Sequence, residues 1–501
     1  MTALPNASTD VPDRHTAPVA VIGGGLAGSE AALQLARRGI RVDLYEMKPK
    51  QKSPAHHNSH CAEIVCSNSF GNLKTATASG LIKAELMALG CQLIATAHRL
   101  AVPAGNALAV DREAFAADVT RQLEAEPNIT LVCDEVQTLP TRAYQYVIVA
   151  TGPLTTPGLI NSLQTLLKQE QLYFFDAAAP ILTRDSIDFN IAFYQDRYNQ
   201  SQSDSEAASY INCPMSQPEY EALIAFINQA EKIQSKAFEQ EAAGATQFFE
   251  SCLPIEVLAS RGLDTPRFGP MKPVGITDPR TGQTPWAVVQ LRQDNAEGSL
   301  YNIVGFQTNL KWGEQKAMIE LIPGLGQAEV VRYGVMHRNT FINSPECLNP
   351  SMQLRAAPNV LVAGQLTGVE GYTESIAAGL IAATSVYQLL QHPDANPVLL
   401  PPESTMIGAL LRYITRKPVT RFQPINSNWG ILPELSAEDW TLFSEEGKRP
   451  KKKNKVARNA TYAQRALSQL QQFIGAHATQ LGLDATEPVS ADAGKQPVVQ
   501  L

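Results

Sequence analysis

The sequence predicts an α/β fold: a Rossmann-like parallel sheet interrupted by an inserted α+β domain. Three observations predict it. An apolar tetrapeptide at 19–22 runs into Gly23-Gly24-Gly25-Leu26-Ala27-Gly28 and then into a segment of helical composition. An acid, Glu46, closes the strand-like segment that follows. A second apolar strand running into glycine returns at 360–364, long after the first unit has ended. At 501 residues the chain is long enough for two or three domains of about 150 residues each.

Residues 18–47 read as one βαβ unit: strand at 19–22, turn at 23–25, helix at 26–38 stopped by Gly39, second strand at 41–46. The stretch 49–72 is polar and loop-like. Helical patterning returns at 80–89 and 111–124, where Phe115, Val119 and Leu123 share one face. Residues 129–136 and 146–150 are strand-like, and Thr151-Gly152-Pro153 ends the second. From 171 onward short strands and helices alternate with polar loops, including a Gln/Ser-rich stretch at 198–207. The βα grammar resumes at 360–363, followed by a Gly-rich loop and an apolar helix from Ser375. A further helix covers 405–415, a basic segment follows, 461–476 is amphipathic, and beyond Gly482 the composition is that of a frayed tail. The chain therefore divides into the N-terminal part of a nucleotide-binding domain (18–170), an inserted substrate domain (171–334), a C-terminal part with the basic segment (335–475) and a flexible tail (476–501).

The glycine pattern carries a mechanism in this context, between a strand and a helix. Gly23 permits a tight turn, Gly25 lets backbone approach a pyrophosphate, and Gly28 lets the helix pack close to the strand. Gly24, Leu26 and Ala27 complete the loop, the helix N-terminus stabilises the anion, and Glu46 accepts from a ribose hydroxyl. No second G-x-G-x-x-G follows a strand. The late element, with Gly364, Gln365, Gly371 and Tyr372, is of the kind that holds the flavin end of FAD, which favours FAD over NAD as the tightly held nucleotide. Tyr372 could stack on the flavin or be an ordinary packed tyrosine.

Composition excludes several classes. The chain is 44% hydrophobic and 18% charged, which excludes disorder, collagen and coiled coil as overall descriptions. The longest apolar stretch, 375–390, falls short of the ~20 apolar residues of a membrane span. Residues 1–18 lack the cationic-then-apolar order of a secretory signal, so a cytoplasmic protein without membrane contact is expected. Seven cysteines in a large chain of that compartment favour free thiols. Net charge is −7, yet seven basic residues lie between Lys448 and Arg458, so a basic segment sits on an acidic body. It fits phosphate contact or a solvated loop equally well. His56, His57, His60 and Cys61 match no closed zinc spacing and read as a solvated loop. Cys61 and Cys66 form C-x4-C, as in flavin disulfide reductases, but without the flanking glycines or second fingerprint of those enzymes.

The loop and helix from Gly23 to Ala32 resemble the tRNA-modifying flavoproteins that include the glucose-inhibited division protein A family. Further motifs narrow the resemblance: Glu63-Ile64-Val65-Cys66-Ser67-Asn68-Ser69, Phe249-Glu250-Ser251-Cys252-Leu253-Pro254-Ile255-Glu256 and Gly334-Val335-Met336-His337-Arg338-Asn339-Thr340. Gly364-Gln365-Leu366-Thr367-Gly368-Val369-Glu370-Gly371-Tyr372 and Thr405-Met406-Ile407-Gly408-Ala409-Leu410-Leu411 agree. Over about 18–470, in order, these look like the TrmFO family of folate- and FAD-dependent tRNA (uracil-5-)-methyltransferases. The N-terminal extension, the tail and the length of the Lys-rich run depart from it.

The resemblance implies an FAD-binding domain and formation of 5-methyluridine at uridine-54 in the tRNA T-loop. The carbon would come from 5,10-methylenetetrahydrofolate and the electrons from FAD reduced by NADPH or NADH. It maps two functional cysteines onto Cys66 and Cys252. Uracil C5 is a poor nucleophile until something adds to C6, and a thiolate suits that addition. Cys252 is assigned to C6 and Cys66 to the proton; the reverse assignment stays open. Arg261 and Lys272 lie near Cys252 in sequence as possible activating charges. His337 and Arg338 could orient folate or flavin, or lie at the surface. Phe248, Phe249 and Trp286 are candidate platforms for an extruded base. Two other readings are a flavoprotein modifying a wobble uridine, which would bring a long C-terminal helical domain, and a flavin-stabilised tRNA-binding protein without catalysis.

Overall fold

The computed structural model describes residues 19–53, 55–167, 172–177, 179–197, 209–233, 253–295, 298–334, 336–393, 398–416, 422–450 and 454–483. Strand Val19–Ile22 is buried at every residue, as an unbroken run of Val, Ala and Ile must be in a parallel sheet covered on both faces. It lies parallel to Val42–Glu46 on one side and Val147–Val149 on the other. Ile129–Cys133 extends the sheet beyond the first and Ala357–Val362 beyond the second, again parallel, with Gln353–Leu354 antiparallel at the edge. Chain segments on both sides of a long insertion thus build one sheet, and the protein is α/β of the Rossmann type.

Helix Leu26–Arg37 is buried over nearly its whole length. It lies under the helix Tyr372–Gln391, and a Cβ added at Gly379 would stand 2.1 Å from the Ala27 carbonyl oxygen, so that glycine is what lets the two backbones meet. The intervening residues form a six-stranded antiparallel sheet in the order Phe193–Tyr194, Tyr210–Met215, Ala287–Gln293, Leu300–Ile303, Ile181–Thr183, Val330–Arg332. It has its own apolar core, with Tyr220, Phe306 and Met318 fully buried. Leu172–Ala177 pairs with Met336–Phe341 where the chain enters and leaves this region.

Several boundaries differ from the sequence reading, two of them by three residues or more at the C-terminal end. The strand from 129 ends at Cys133, because the Asp134 N–H turns back to the Val132 carbonyl. The C-terminal helix spans Lys455–Leu481 with a kink at His477 (φ −131°), so residues 476–481 continue the packed element and are not tail. Leu481 is buried, its carbonyl accepts from Arg38 Nε (2.8 Å), and Gly482 ends the helix at φ +63°, the left-handed conformation glycine adopts readily. The rest of the predicted tail, from 484, lies outside the described residues.

Buried carboxylates hold the layers together. Glu85, in helix Ala78–Ala88, accepts from the Met406 and Ile407 N–H groups (2.7 and 2.9 Å) and so caps helix Met406–Thr415 from another element. Burial pushes its pKa from 4.5 up to about 7, against the pull of those two N–H groups. Between these values the folded state holds a proton that the unfolded state has lost. The group's stabilising contribution is therefore largest at acid pH and declines as pH rises towards 7, by about 1.4 kcal/mol per unit. Relative to a Glu85→Gln variant, the parent Tm should gain between about pH 7 and pH 5; a constant difference would contradict this origin.

Candidate functional site

The four glycines of the fingerprint do different work. Gly23 has φ +101°, and a Cβ there would lie 2.6 Å from the Ala150 carbonyl oxygen. At Gly28 a Cβ would lie 1.8 Å from the Gly23 carbonyl oxygen, and at Gly24 it would meet Cys61 Sγ and Glu46 Oε2, both at 2.9 Å. At Gly25 it would meet nothing within 4 Å. Three glycines are thus required by packing, while the fourth leaves backbone open to a cavity. Gly25 is also the N-cap, it offers no side-chain cap, and no acid stands in the first helical turn. The leading N–H groups and the positive end of the helix remain available to an anion.

Glu46 is almost fully buried and held from two sides, accepting from the Gly24 N–H (2.9 Å) and the Lys48 N–H (3.0 Å). It borders a cleft with about 1130 Å³ of empty space, open solvent at its mouth included, lined also by Gly23, Gly25, Leu26, Ala27, Thr151, Gly152, Gly364, Gln365 and Tyr372. Several of these residues stand just beyond the carboxyl ends of parallel strands, where doubly wound sheets bind their ligands. Gly364 has φ +73°, and a Cβ there would stand 2.8 Å from Ala27 Cβ, so the late loop is seated directly on the fingerprint helix. Gln365 donates from Nε2 to Glu370 Oε2 (2.5 Å). Gly371, at φ +117°, opens the long helix.

Tyr372, which lines the cleft, meets the backbone of Cys66. The tyrosine hydroxyl oxygen accepts from the backbone N–H groups of Cys66 (2.8 Å) and Ser67 (3.0 Å), and its ring packs 5.7 Å from that of Phe70. Burial, and then the nearby Cys66, push the phenol pKa up, so it remains neutral. The contact joins two motifs some 300 residues apart and presents Cys66 beside the late loop.

Burial separates the cysteines that sequence position could not. Cys61 is buried against Gly24, and desolvation, then Glu46, push its thiol up to about 12. Burial likewise raises Cys91, Cys213 (to about 12) and Cys347 (to about 11). Cys66 and Cys133 are half-buried, but Cys133 pairs in register with Glu46 in the parallel sheet. Cys61 and Cys66 are not joined in a disulfide. Cys252, Phe248 and Phe249 lie outside the described residues, as do 451–453 of the basic run. Of His337 and Arg338 the backbone alone is described, in strand Met336–Phe341. Trp286 has one face covered by Arg267, whose guanidinium carbon lies 3.9 Å from the ring centroid. In the His-rich loop, His56 Nδ1 pairs with Ser53 Oγ (2.6 Å) and the His57 N–H donates to Glu63.

The sequence reading missed Lys48, which is buried, lines the cavity and pairs with Glu63 at 3.5 Å. Its position two residues beyond the strand-ending acid was the available signal. It also missed Asn68, Arg112 and Arg292, which surround the Cys66 segment; of these Asn68 alone sat within a motif.

The comparisons with known proteins agree with this geometry. The family model described as glucose inhibited division protein A matches residues 18–394. A Bacillus cereus protein named methylenetetrahydrofolate--tRNA-(uracil-5-)-methyltransferase TrmFO is 49% identical over 463 residues, covering 92% of this chain and 99% of the relative. A protein of the same name from Moorella thermoacetica is 49% identical over 449 residues, covering 90% and 96%. Among solved structures, GidA of Aquifex aeolicus aligns with a TM-score of 0.64 at 15% identity, over 94% of this chain but 74% of that one. The structural likeness establishes the fold; the end-to-end sequence match is with the methyltransferases.

Proposed function

We infer the activity from one premise: the chain belongs to the glucose-inhibited division protein A family and, within it, to the TrmFO methyltransferases. It is a folate-dependent tRNA (uracil-5-)-methyltransferase and a flavoprotein. The observation that carries this reading is 49% identity across 99% of a relative of that name. The finer reading is that it forms 5-methyluridine at uridine-54 of the T-loop, taking carbon from 5,10-methylenetetrahydrofolate and electrons, through FAD, from NADPH or NADH. Among the described residues no single helix is long and apolar enough to cross a membrane, and we place the reaction in the cytoplasm, with its reduced thiols.

The residues present fit FAD. The open face of Gly25 and the uncapped helix behind it suit a pyrophosphate, and Glu46 suits a ribose hydroxyl. Gly364, Gln365, Gly371 and Tyr372 would flank the flavin end. Reduced FAD supplies the two electrons that convert a one-carbon unit at the methylene level into a methyl group.

The protein's own part begins with extrusion of the uridine from the T-loop stack. The Cys252 thiolate adds to C6, forming a C–S bond and making C5 nucleophilic. C5 then bonds to the folate-derived carbon and gives up its proton to Cys66; the bond from that carbon to the nitrogen that carried it breaks, a hydride equivalent completes the methyl group, and cleavage of the C6–S bond returns the Cys252 thiolate. Tyr372 keeps Cys66 in place by holding its backbone. Replacing uridine-54 by cytidine in an otherwise unmodified tRNA should abolish methylation, while replacing the wobble base should leave it unchanged. The opposite pattern would overturn the positional assignment.

The basic segment would contact tRNA phosphates. Neutralising Lys448, Arg449, Lys455 and Arg458 should weaken tRNA binding and flatten its salt dependence, by about 0.7–0.9 in log–log slope per lost phosphate contact. An unchanged slope would mean that these side chains face solvent and touch no phosphate.

A further inference from the structure

The Cys66 segment is tied to the antiparallel sheet by a polar network that the reaction above leaves unused. Arg292, half-buried in strand Ala287–Gln293, donates from Nε to Asn68 Oδ1 (3.1 Å) and from Nη2 to Ser67 Oγ (3.2 Å) and Asn302 Oδ1 (3.5 Å). Asn68 is fully buried and completes the junction: its Nδ2 donates to the Val110 carbonyl (3.0 Å) and the Gln293 carbonyl (2.8 Å), and its Oδ1 also accepts from Asn302 (3.2 Å). The nearby buried carboxylate, Asp294, is taken by Arg112 (3.0 Å), whose Nη1 donates in turn to the Ile64 and Val65 carbonyls.

Arg292 therefore forms no ion pair among the described residues; its hydrogen bonds go to neutral acceptors. The charged and titratable groups facing it are Tyr210, Asp294, Arg112 and Cys66, and Cys66 in turn faces Tyr372. A cation bound by neutral oxygens keeps its field for whatever anion develops beside it. Here the residues it grips are the two that follow Cys66.

We propose that Arg292 is a positioning residue for Cys66: it fixes the Ser67–Asn68 turn that follows Cys66 and, forming no ion pair among the described residues, brings a positive charge into the neighbourhood of the Cys66 sulfur. That charge would stabilise negative charge as it forms on the Cys66 sulfur, and the fixed turn keeps the residue beside Tyr372. The proposal rests on Cys66 being a working thiol of the methyltransferase.

Its test is the pH dependence of Cys66 alkylation by iodoacetamide, followed peptide by peptide with mass spectrometry on the FAD-loaded protein. Arg292→Met should keep its flavin absorbance, move the alkylation midpoint up by about one pH unit, and lower kcat by about 10-fold or more with the KM for tRNA little changed. Arg292→Lys should restore the midpoint but only part of kcat, because an ammonium cannot bridge Ser67 and Asn68 as the planar guanidinium does. An unmoved midpoint in FAD-loaded Arg292→Met overturns the proposal. Should that variant fail to hold FAD, Arg292→Lys decides, and full kcat there overturns it. Alkylation needs neither tRNA nor folate, so a shifted midpoint without methylation in any sample would leave the Arg292–Cys66 link standing and count against the assigned reaction.

Discussion

Cys66→Ala should abolish methylation of tRNA, by about 1000-fold or more, while the protein still folds and retains FAD. Cys66 is half-buried and held by backbone N–H groups that alanine preserves, so the substitution removes the sulfur without opening a large void. Cys252→Ala should have the same effect, and the double variant should be little worse than either single one, since two groups serving one reaction do not contribute additively. Cys213→Ala is the contrast. Its sulfur is fully buried in the antiparallel sheet, and the change should cost about 1 kcal/mol of stability with activity retained. Quantifying 5-methyluridine in tRNA, together with flavin absorbance and Tm, checks all four. Retained activity in Cys66→Ala would leave the thiol with a packing role alone.

The second large effect is expected at Gly25. Its backbone angles, φ −73° and ψ −170°, are open to any residue, and a Cβ there meets nothing. Gly25→Val should therefore fold, within about 1 kcal/mol of the flavin-free parent, yet place its side chain where a pyrophosphate must approach. It should purify colourless, with FAD affinity reduced by about 100-fold or more, equivalent to about 3 kcal/mol. Gly28→Ala should fail differently. Its Cβ would press on the Gly23 carbonyl oxygen at 1.8 Å, in backbone that has no room to move, and the damage should be to stability, on the order of 3 kcal/mol. A yellow Gly25→Val protein would mean that the cofactor does not approach this backbone.

These two sites differ in how far the sequence exposes them. The fingerprint is local: strand, glycines, helix and Glu46 lie within about thirty residues, and each reports on its neighbours through backbone geometry. The return of the sheet at Ala357–Val362 was legible for the same reason, as an apolar run ending in glycine. What makes Cys66 different from Cys61 is not local. Both sit in one polar loop, and the distinction arises because Gly24 and Glu46 bury one while Tyr372 holds the other beside the late loop. The grip of Arg292 on Ser67 and Asn68 spans more than 220 residues, and the capping of Met406 by Glu85 spans 321. No periodicity encodes such contacts. The end of the last helix was misread because polar composition resembles a tail, whereas the decisive features, a buried Leu481 and its bond to Arg38, belong to the packed state.

The central claim is that this chain moves a folate-borne carbon onto a T-loop uridine. It is tested most directly by incubating the FAD-loaded protein with unmodified tRNA, NADPH and 5,10-methylenetetrahydrofolate labelled in its methylene carbon, then locating the label by nucleoside mass spectrometry. The account predicts label in 5-methyluridine at position 54, dependent on both folate and reductant. Label at the wobble uridine, or a folded, flavin-loaded sample that binds tRNA and transfers no label, would contradict it.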